Sequence, residues 1–239
     1  MTPDALALEA VVRTHACGAS RFTLEIPSLR LAPGEAMALV GPSGAGKSTT
    51  LDLAALALAP DRAGRLSVGG ADAAALWRRG DAEALARLRA GAIGYVPQTG
   101  GLLGFLSVRR NIALPQRLSG RHDPARLLAL ARRLGIEDEL DKPPAALSVG
   151  QRQRAAIARA LAHRPALVLA DEPTAALHPE LADAVLELLV EQCAAEGAAL
   201  LVATHDAARA ARAGLASARV EPVHGEARSV VAVAVPCPA

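Results

Sequence analysis

Nine consecutive residues, Gly41-Pro42-Ser43-Gly44-Ala45-Gly46-Lys47-Ser48-Thr49, complete the pattern GxxxxGK[ST]. The apolar run Ala36-Met37-Ala38-Leu39-Val40 precedes them directly, and the residues after Gly46 read as a helix. A buried strand that ends in a glycine turn and opens a helix gathers several backbone N–H groups and the positive helix end at one point, which makes an anion site. Lys47 can reach the outer phosphates of a nucleotide held there, and the Ser48 hydroxyl can ligate Mg2+. A chance glycine turn would lack this conjunction of strand, spacing, lysine and serine.

A second apolar run, Leu167-Val168-Leu169-Ala170, ends in Asp171-Glu172. In a parallel sheet this puts two carboxylates at the carboxyl edge, where such folds bind ligands. Asp171 would hold magnesium through water, and Glu172 would orient or deprotonate an attacking water. Alone, an acidic pair at a strand end reads as a solvated helix start; beside a phosphate loop it reads as catalytic. In Leu147-Ser148-Val149-Gly150-Gln151, Ser148 and Gln151 have capping-box spacing ahead of the helical stretch Arg152 to Ala162. A capped helix with free N–H groups is itself a second phosphate site.

These groups need a scaffold, and the apolar periodicity supplies one. Leu6, Leu8 and Val11, then Phe22, Leu24 and Ile26, predict short antiparallel strands joined by a turn at Cys17-Gly18-Ala19-Ser20. The runs at 36–40, 92–96, 167–170 and 199–203 predict strands buried on both faces, alternating with helices in an α/β parallel sheet. Between Gln98 and Ser148 the spacing of Leu127, Leu128, Leu130 and Leu134 turns helical, with Pro115, Pro124, Pro143 and Pro144 as breaks. Val230 to Val235 predicts a final strand, and Pro236 to Ala239 a loose end.

The chain has 239 residues, enough for one domain, and its single Trp, single Tyr and two Phe leave the core to Leu, Val and Ala. A formal charge of +2 gives no excess positive potential, so no nucleic-acid partner is expected. Cys17, Cys193 and Cys237 form neither a disulfide framework nor a metal cluster, as in a reducing cytoplasm. Met1-Thr2-Pro3-Asp4 lacks the start of a secretory signal, and no run approaches the roughly 20 apolar residues of a membrane span. Membrane association would then come through a partner.

Over nearly its whole length the chain resembles the ATPase subunit of an ATP-binding cassette (ABC) transporter. The resemblance implies a P-loop NTPase core with an N-terminal antiparallel β subdomain (1–97 and 149–239) and an inserted helical subdomain (98–148). It implies ATP and Mg2+, and a head-to-tail homodimer. Ser148, Gly150 and Gln151, in the place of the family's LSGGQ, would contact the terminal phosphate of an ATP on the opposite subunit's loop. Gln98, after Ile93-Gly94-Tyr95-Val96-Pro97, matches the family's glutamine that senses magnesium and water and touches the membrane subunit. His205, after Leu200-Leu201-Val202-Ala203-Thr204, matches the switch histidine that assists Glu172. Integral membrane permease subunits are the implied partners, on the cytoplasmic face of the inner membrane.

Three positions depart from the family. Val149 replaces the first glycine of LSGGQ; His178 stands where an aspartate is usual, which implies an altered cross-subunit contact and retuned hydrolysis; and Val11 to Ser20 lacks the aromatic residue that stacks on adenine. His15 is the substitute expected from the sequence, with Phe22 too far along. Leu169 to Thr174 and Asn111 to Pro115 resemble the branch serving lipoprotein release, macrolide-type export and cell-division signalling. A soluble ABC ATPase acting on DNA or ribosomes is the alternative, but DNA-repair members insert long coiled coils and translation members carry two cassettes. A simple phosphate-loop kinase needs neither the second phosphate element nor the histidine.

Overall fold

The computed structural model describes residues 3–17, 20–175, 177–223 and 226–232. Its strands are β1 (Leu6–Cys17), β2 (Ser20–Leu31), β3 (Ala36–Val40), β4 (Arg65–Val68), β5 (Ala71–Asp72), β6 (Ile93–Val96), β7 (Leu167–Asp171), β8 (Ala199–Thr204), β9 (Ala216–Pro222) and β10 (Arg228–Val231). They form one sheet in the order β5-β4-β1-β2-β10-β9-β3-β8-β7-β6. At one end β1 pairs antiparallel with β2 and β4, and β4 with β5. At the other, β3, β8, β7 and β6 run parallel, as their two-sided apolar runs require. The closing hairpin joins the halves: β10 is parallel to β2 and antiparallel to β9, which lies parallel to β3.

Alternate residues of the parallel strands enter different cores. Met37, Leu39, Leu167, Leu169, Leu201 and Ala203 pack with α1 (Lys47–Ala54) and the antiparallel strands. Ala38, Val168, Ala170, Leu200 and Val202 face the opposite layer, with α4 (Val108–Leu118), α5 (Pro124–Arg133), α6 (Val149–Leu161) and α7 (Pro179–Glu196). Strand and helix contributions thus interlock, and Ile112, Leu127, Leu130 and Leu134 from the segment 98–148 share that second core.

The sequence pattern did not foretell the short strands β4 and β5, the strand β9, or the helices α2 (Ala73–Arg79), α3 (Ala82–Ala92) and α8 (Ala207–Arg212). Asp72, Asp81 and Asp206 start those helices, each carboxylate accepting a backbone N–H in the first turn. Pro124 falls at the break between α4 and α5, where it opens α5, but Pro115 lies inside α4 and does not break it. Burial of Ile112, Ala113 and Gln116 on either side offsets the missing hydrogen bond. The last strand begins two residues earlier than expected and ends at Val231; residues 233–239 of the expected run and tail, and Gly18 and Ala19 of the expected turn, lie outside the described residues.

The C-terminal carbonyls of α6 are held from the preceding segment. Arg126 donates to Leu161 O and Ala162 O (2.8 and 3.1 Å), Gln116 to Ala162 O (3.0 Å), and Arg121 to His163 O (3.0 Å). These bonds satisfy acceptors that a helix end leaves open. Among the described residues no helix is long and apolar enough to cross a membrane.

Candidate active site

Strand register assembles the site. Val40 is level with Thr204, Ala203 with Asp171, and Ala170 with Val96. Gly41, His205 and Glu172 therefore leave the ends of neighbouring strands together, with Gln98 two residues past β6. Glu172, His205 and Gln98 line one cavity of about 650 Å³ with Asp171, Ser43, Gly44, Gly46, Lys47, Ser48 and Thr49.

The loop Gly41 to Gly46 enters α1 through Gly46, whose φ of 107° belongs to glycine. A Cβ on Gly44, also left-handed at 76°, would meet nothing within 4 Å, so the loop leaves room above its backbone. Lys47 is buried and donates through Nζ to the carbonyls of Gly41 and Pro42 (2.9 and 3.0 Å), with Glu172 Oε1 at 3.7 Å. Ala45 is buried beneath the loop.

The acidic side is equally compact. Ser48 Oγ donates to Asp171 Oδ1 at 3.4 Å. Burial pushes the Asp171 carboxyl above the usual carboxylate range, the Ser48 hydrogen bond opposes this, and the neighbouring Glu172 charge adds to it. Asp52, one turn after Ser48 on α1, is raised by burial and then by Asp171; Tyr95 is pushed up to about 12 by burial and by both carboxylates. The sequence reading missed Asp52 and Tyr95, although the four-residue offset from Ser48 puts Asp52 on the same helix face. A crowded, half-buried carboxylate facing a hydroxyl is a donor set suited to Mg2+, which takes one or two protein ligands and fills its shell from phosphate and water.

Glu172 occupies the left-handed region (φ 44°), unusual outside glycine, and its N–H donates to Ala203 O (2.9 Å). This turns the carboxylate to His205, whose Nδ1 donates to Oε2 at 2.9 Å and whose Nε2 stays free of that bond. His205 is largely exposed at the rim.

Phe22 corrects the sequence expectation. It lies opposite His15 in the β1–β2 register, lines the cavity, and brings its ring within 3.5 Å of where a Gly46 Cβ would stand. The 12-residue strands β1 and β2 bring Phe22 and Leu24 against Gly46, so an aromatic face lines the cavity.

Ser148, Gly150 and Gln151 do not line this cavity. They open α6 elsewhere: Ser148 Oγ accepts from Gln151 N (3.2 Å), and Gln151 Oε1 accepts from Ser148 N (2.8 Å), the expected capping box. Val149 is the first helical residue, 45% exposed and without positive φ, so a β-branched side chain costs the backbone little there. Gly150 is buried, and a Cβ on it would stand 3.0 Å from Leu181. His178 begins α7 without a side-chain cap, where an aspartate would supply one. Asn111 is fully buried and ties the loop before α4, accepting from Leu103 N–H and donating to the carbonyls of Leu103, Leu106 and Ser107.

The family described as ABC transporter matches residues 24–175. The chain is 40% identical over 214 residues to the lipoprotein-releasing system ATP-binding protein LolD 2 of Caulobacter vibrioides, covering 86% of this chain and 90% of that protein. It is 42% identical over 210 residues to LolD of Maricaulis maris, again covering 86% and 90%. Among solved structures it is similar to the ATP-binding cassette MJ0796 as a post-hydrolysis dimer bound to ADP and Pi, with TM-score 0.80, 27% identity and coverage of 98% and 99%. Site geometry, fold and sequence agree, and the chain belongs to the ABC transporter family as one of its ATP-binding cassettes.

Proposed function

We propose that this cassette binds and hydrolyses ATP at the interface of a homodimer and thereby drives integral membrane subunits of the lipoprotein-releasing kind. The observation that carries the reading is the convergence of Lys47, Ser48, Asp171, Glu172, His205 and Gln98 on one cavity, with Glu172 and His205 paired at 2.9 Å. In it the N–H groups of Ser43 to Thr49 and the Lys47 ammonium hold the phosphates, and Phe22 stacks on the base. Ser48 and Asp171 hold Mg2+, which when bound neutralises phosphate charge, and Gln98 reaches the same region. Glu172 orients water for attack, taking its proton, while His205, donating through Nδ1 to the same carboxylate, keeps it turned toward the phosphate.

Ser148, Gly150 and Gln151 lie outside the cavity of their own chain, which supports a role in a second copy's site. The Ser148 hydroxyl accepts from within its helix, so its O–H is left to donate outward, beside first-turn N–H groups that have no intrahelical acceptor. Membrane partners are supported by a largely apolar groove of about 470 Å³ between α3, β6, α4 and α6, bordered by Ala90, Ile93, Leu103, Leu114, Pro115 and the exposed Leu118. The soluble alternative is disfavoured by helices of only 11 and 10 residues between Gln98 and Ser148, too short for a coiled-coil arm.

Replacing Glu172 by Gln keeps its shape and removes the base. The variant is expected to bind ATP and elute from gel filtration as a dimer with ATP and a monomer without it. Monomer under both conditions would overturn the shared-site reading. Recovery from solubilised cells with ribosomes or DNA and no integral membrane protein would overturn the transport reading.

A further inference from the structure

The capping box of α6 uses only part of the Gln151 amide. Oε1 accepts from Ser148 N–H, and Nε2 donates to Glu139 Oε1 at 3.1 Å. Glu139 closes the single helical turn Glu137–Glu139 after α5, is largely buried, and has Oε2 2.7 Å from Lys142 Nζ. Its acceptor fixes which way the amide faces. A flipped amide would set NH2 against the Ser148 N–H and its carbonyl oxygen against a carboxylate, two repulsive contacts in place of two hydrogen bonds.

The turn that carries Glu139 is itself pinned. Lys142 O accepts from Val108 N–H (3.0 Å), Leu140 O accepts from Arg109 N–H (2.7 Å), and the Arg109 guanidinium grips both Asp141 oxygens (2.8 and 3.0 Å). Lys142 meanwhile offsets a negative charge that would otherwise sit close to an anion-binding helix start. We propose that Glu139 is a positioning residue for the shared ATP site: by holding the Gln151 amide it holds Ser148 and the free N–H groups of α6 in the arrangement that meets the second copy's phosphate. This rests on the dimeric reading above.

The test is ATP-driven dimerisation in the Glu172→Gln background, with binding of a fluorescent ATP analogue to the monomer measured alongside. Glu172→Gln alone must dimerise; its failure would refute the shared site, not the role of Glu139. Adding Glu139→Ala is expected to weaken the dimer by about tenfold or more, as for loss of a hydrogen bond to a charged group, with monomer nucleotide binding unchanged. Glu139→Gln keeps an acceptor and should stay within about threefold of the parent. Gln151→Glu opposes two carboxylates and should weaken the dimer. Combining it with Glu139→Gln re-forms the bond with donor and acceptor exchanged and should restore dimerisation. A dimer unmoved by Glu139→Ala, or a swapped pair no better than Gln151→Glu alone, overturns the proposal.

Discussion

At Gly94, within β6, the strand backbone lies directly against α6. A Cβ there would stand 2.3 Å from the Ala160 carbonyl oxygen and 2.9 Å from its carbon, whereas ordinary contact begins at 3.4 Å. Both atoms are backbone, so no side chain can rotate away; α6 must retreat by about 1 Å from strands packed on both faces. Overpacking of a close-fitted interior costs ~1–3 kcal/mol, and a rigid obstacle places Gly94→Ala at the upper end, about 3 kcal/mol. At ~2–4 °C per kcal/mol for a chain of this size, the melting temperature should fall by roughly 6–12 °C. Gly91 is the control: it lies within α3, and a Cβ on it meets nothing within 4 Å. Gly91→Ala should therefore gain ~0.5–1 kcal/mol from helix propensity alone. Thermal unfolding followed by circular dichroism reads both. A Gly94→Ala protein melting with the parent, or equal losses for both variants, would mean that the β6–α6 contact is not a rigid backbone approach.

Other perturbations test the site and its supports. Phe22→Ala should raise the ATP dissociation constant by ~3- to 10-fold, the worth of one aromatic stack, with hydrolysis retained at saturating ATP; an unchanged constant would remove Phe22 from the base site. His178→Asp supplies the missing cap of α7 and should stabilise the fold by ~1 kcal/mol in denaturant titration; no gain would mean that Pro179 already fixes the turn. Burial above all, with Arg121 and Arg126 nearby, holds the His163 imidazole down at about 4 from an ordinary 6.5. Between those values the unfolded chain binds a proton that the native state refuses, so stability falls as pH drops through the window. At ~1.36 kcal/mol per pH unit the loss is about 3 kcal/mol, and His163→Gln should flatten that part of the stability profile.

What could be read in the sequence follows from how local its causes are. The parallel strands β3, β7 and β8 announced themselves because both faces are largely buried, and each therefore carries an unbroken apolar run. The phosphate loop and the Ser148 cap were legible because a few adjacent residues fix their geometry. Phe22 was misjudged because its place depends on the reach of a 12-residue strand pair, not on its distance along the chain from Lys47. The strand β9 was missed because Ala216-Ser217-Ala218-Arg219-Val220 mixes small and charged residues; it pairs parallel with β3, and Gly41, just past β3, leaves no room for a Cβ against the Val220 carbonyl. Asp52 meets Asp171 from far along the chain, and Glu139 reaches Gln151 across the loop between α5 and α6, so their residue types gave no sign of the contacts they make.

Helix α6 has the mechanics of a lever. Its 13 residues span roughly 20 Å. One end is bolted by Arg126, Gln116 and Arg121 and bears directly on Gly94; the other carries Ser148. A tilt of about 3° at the bolted end would carry Ser148 through roughly 1 Å, enough in the proposed shared site to make or break a hydrogen bond to phosphate. In the proposed dimer, the fit of one glycine against one carbonyl would thus bear on the aim of a residue near the far end of the helix, and the shared site could be retuned without touching a residue that meets the nucleotide.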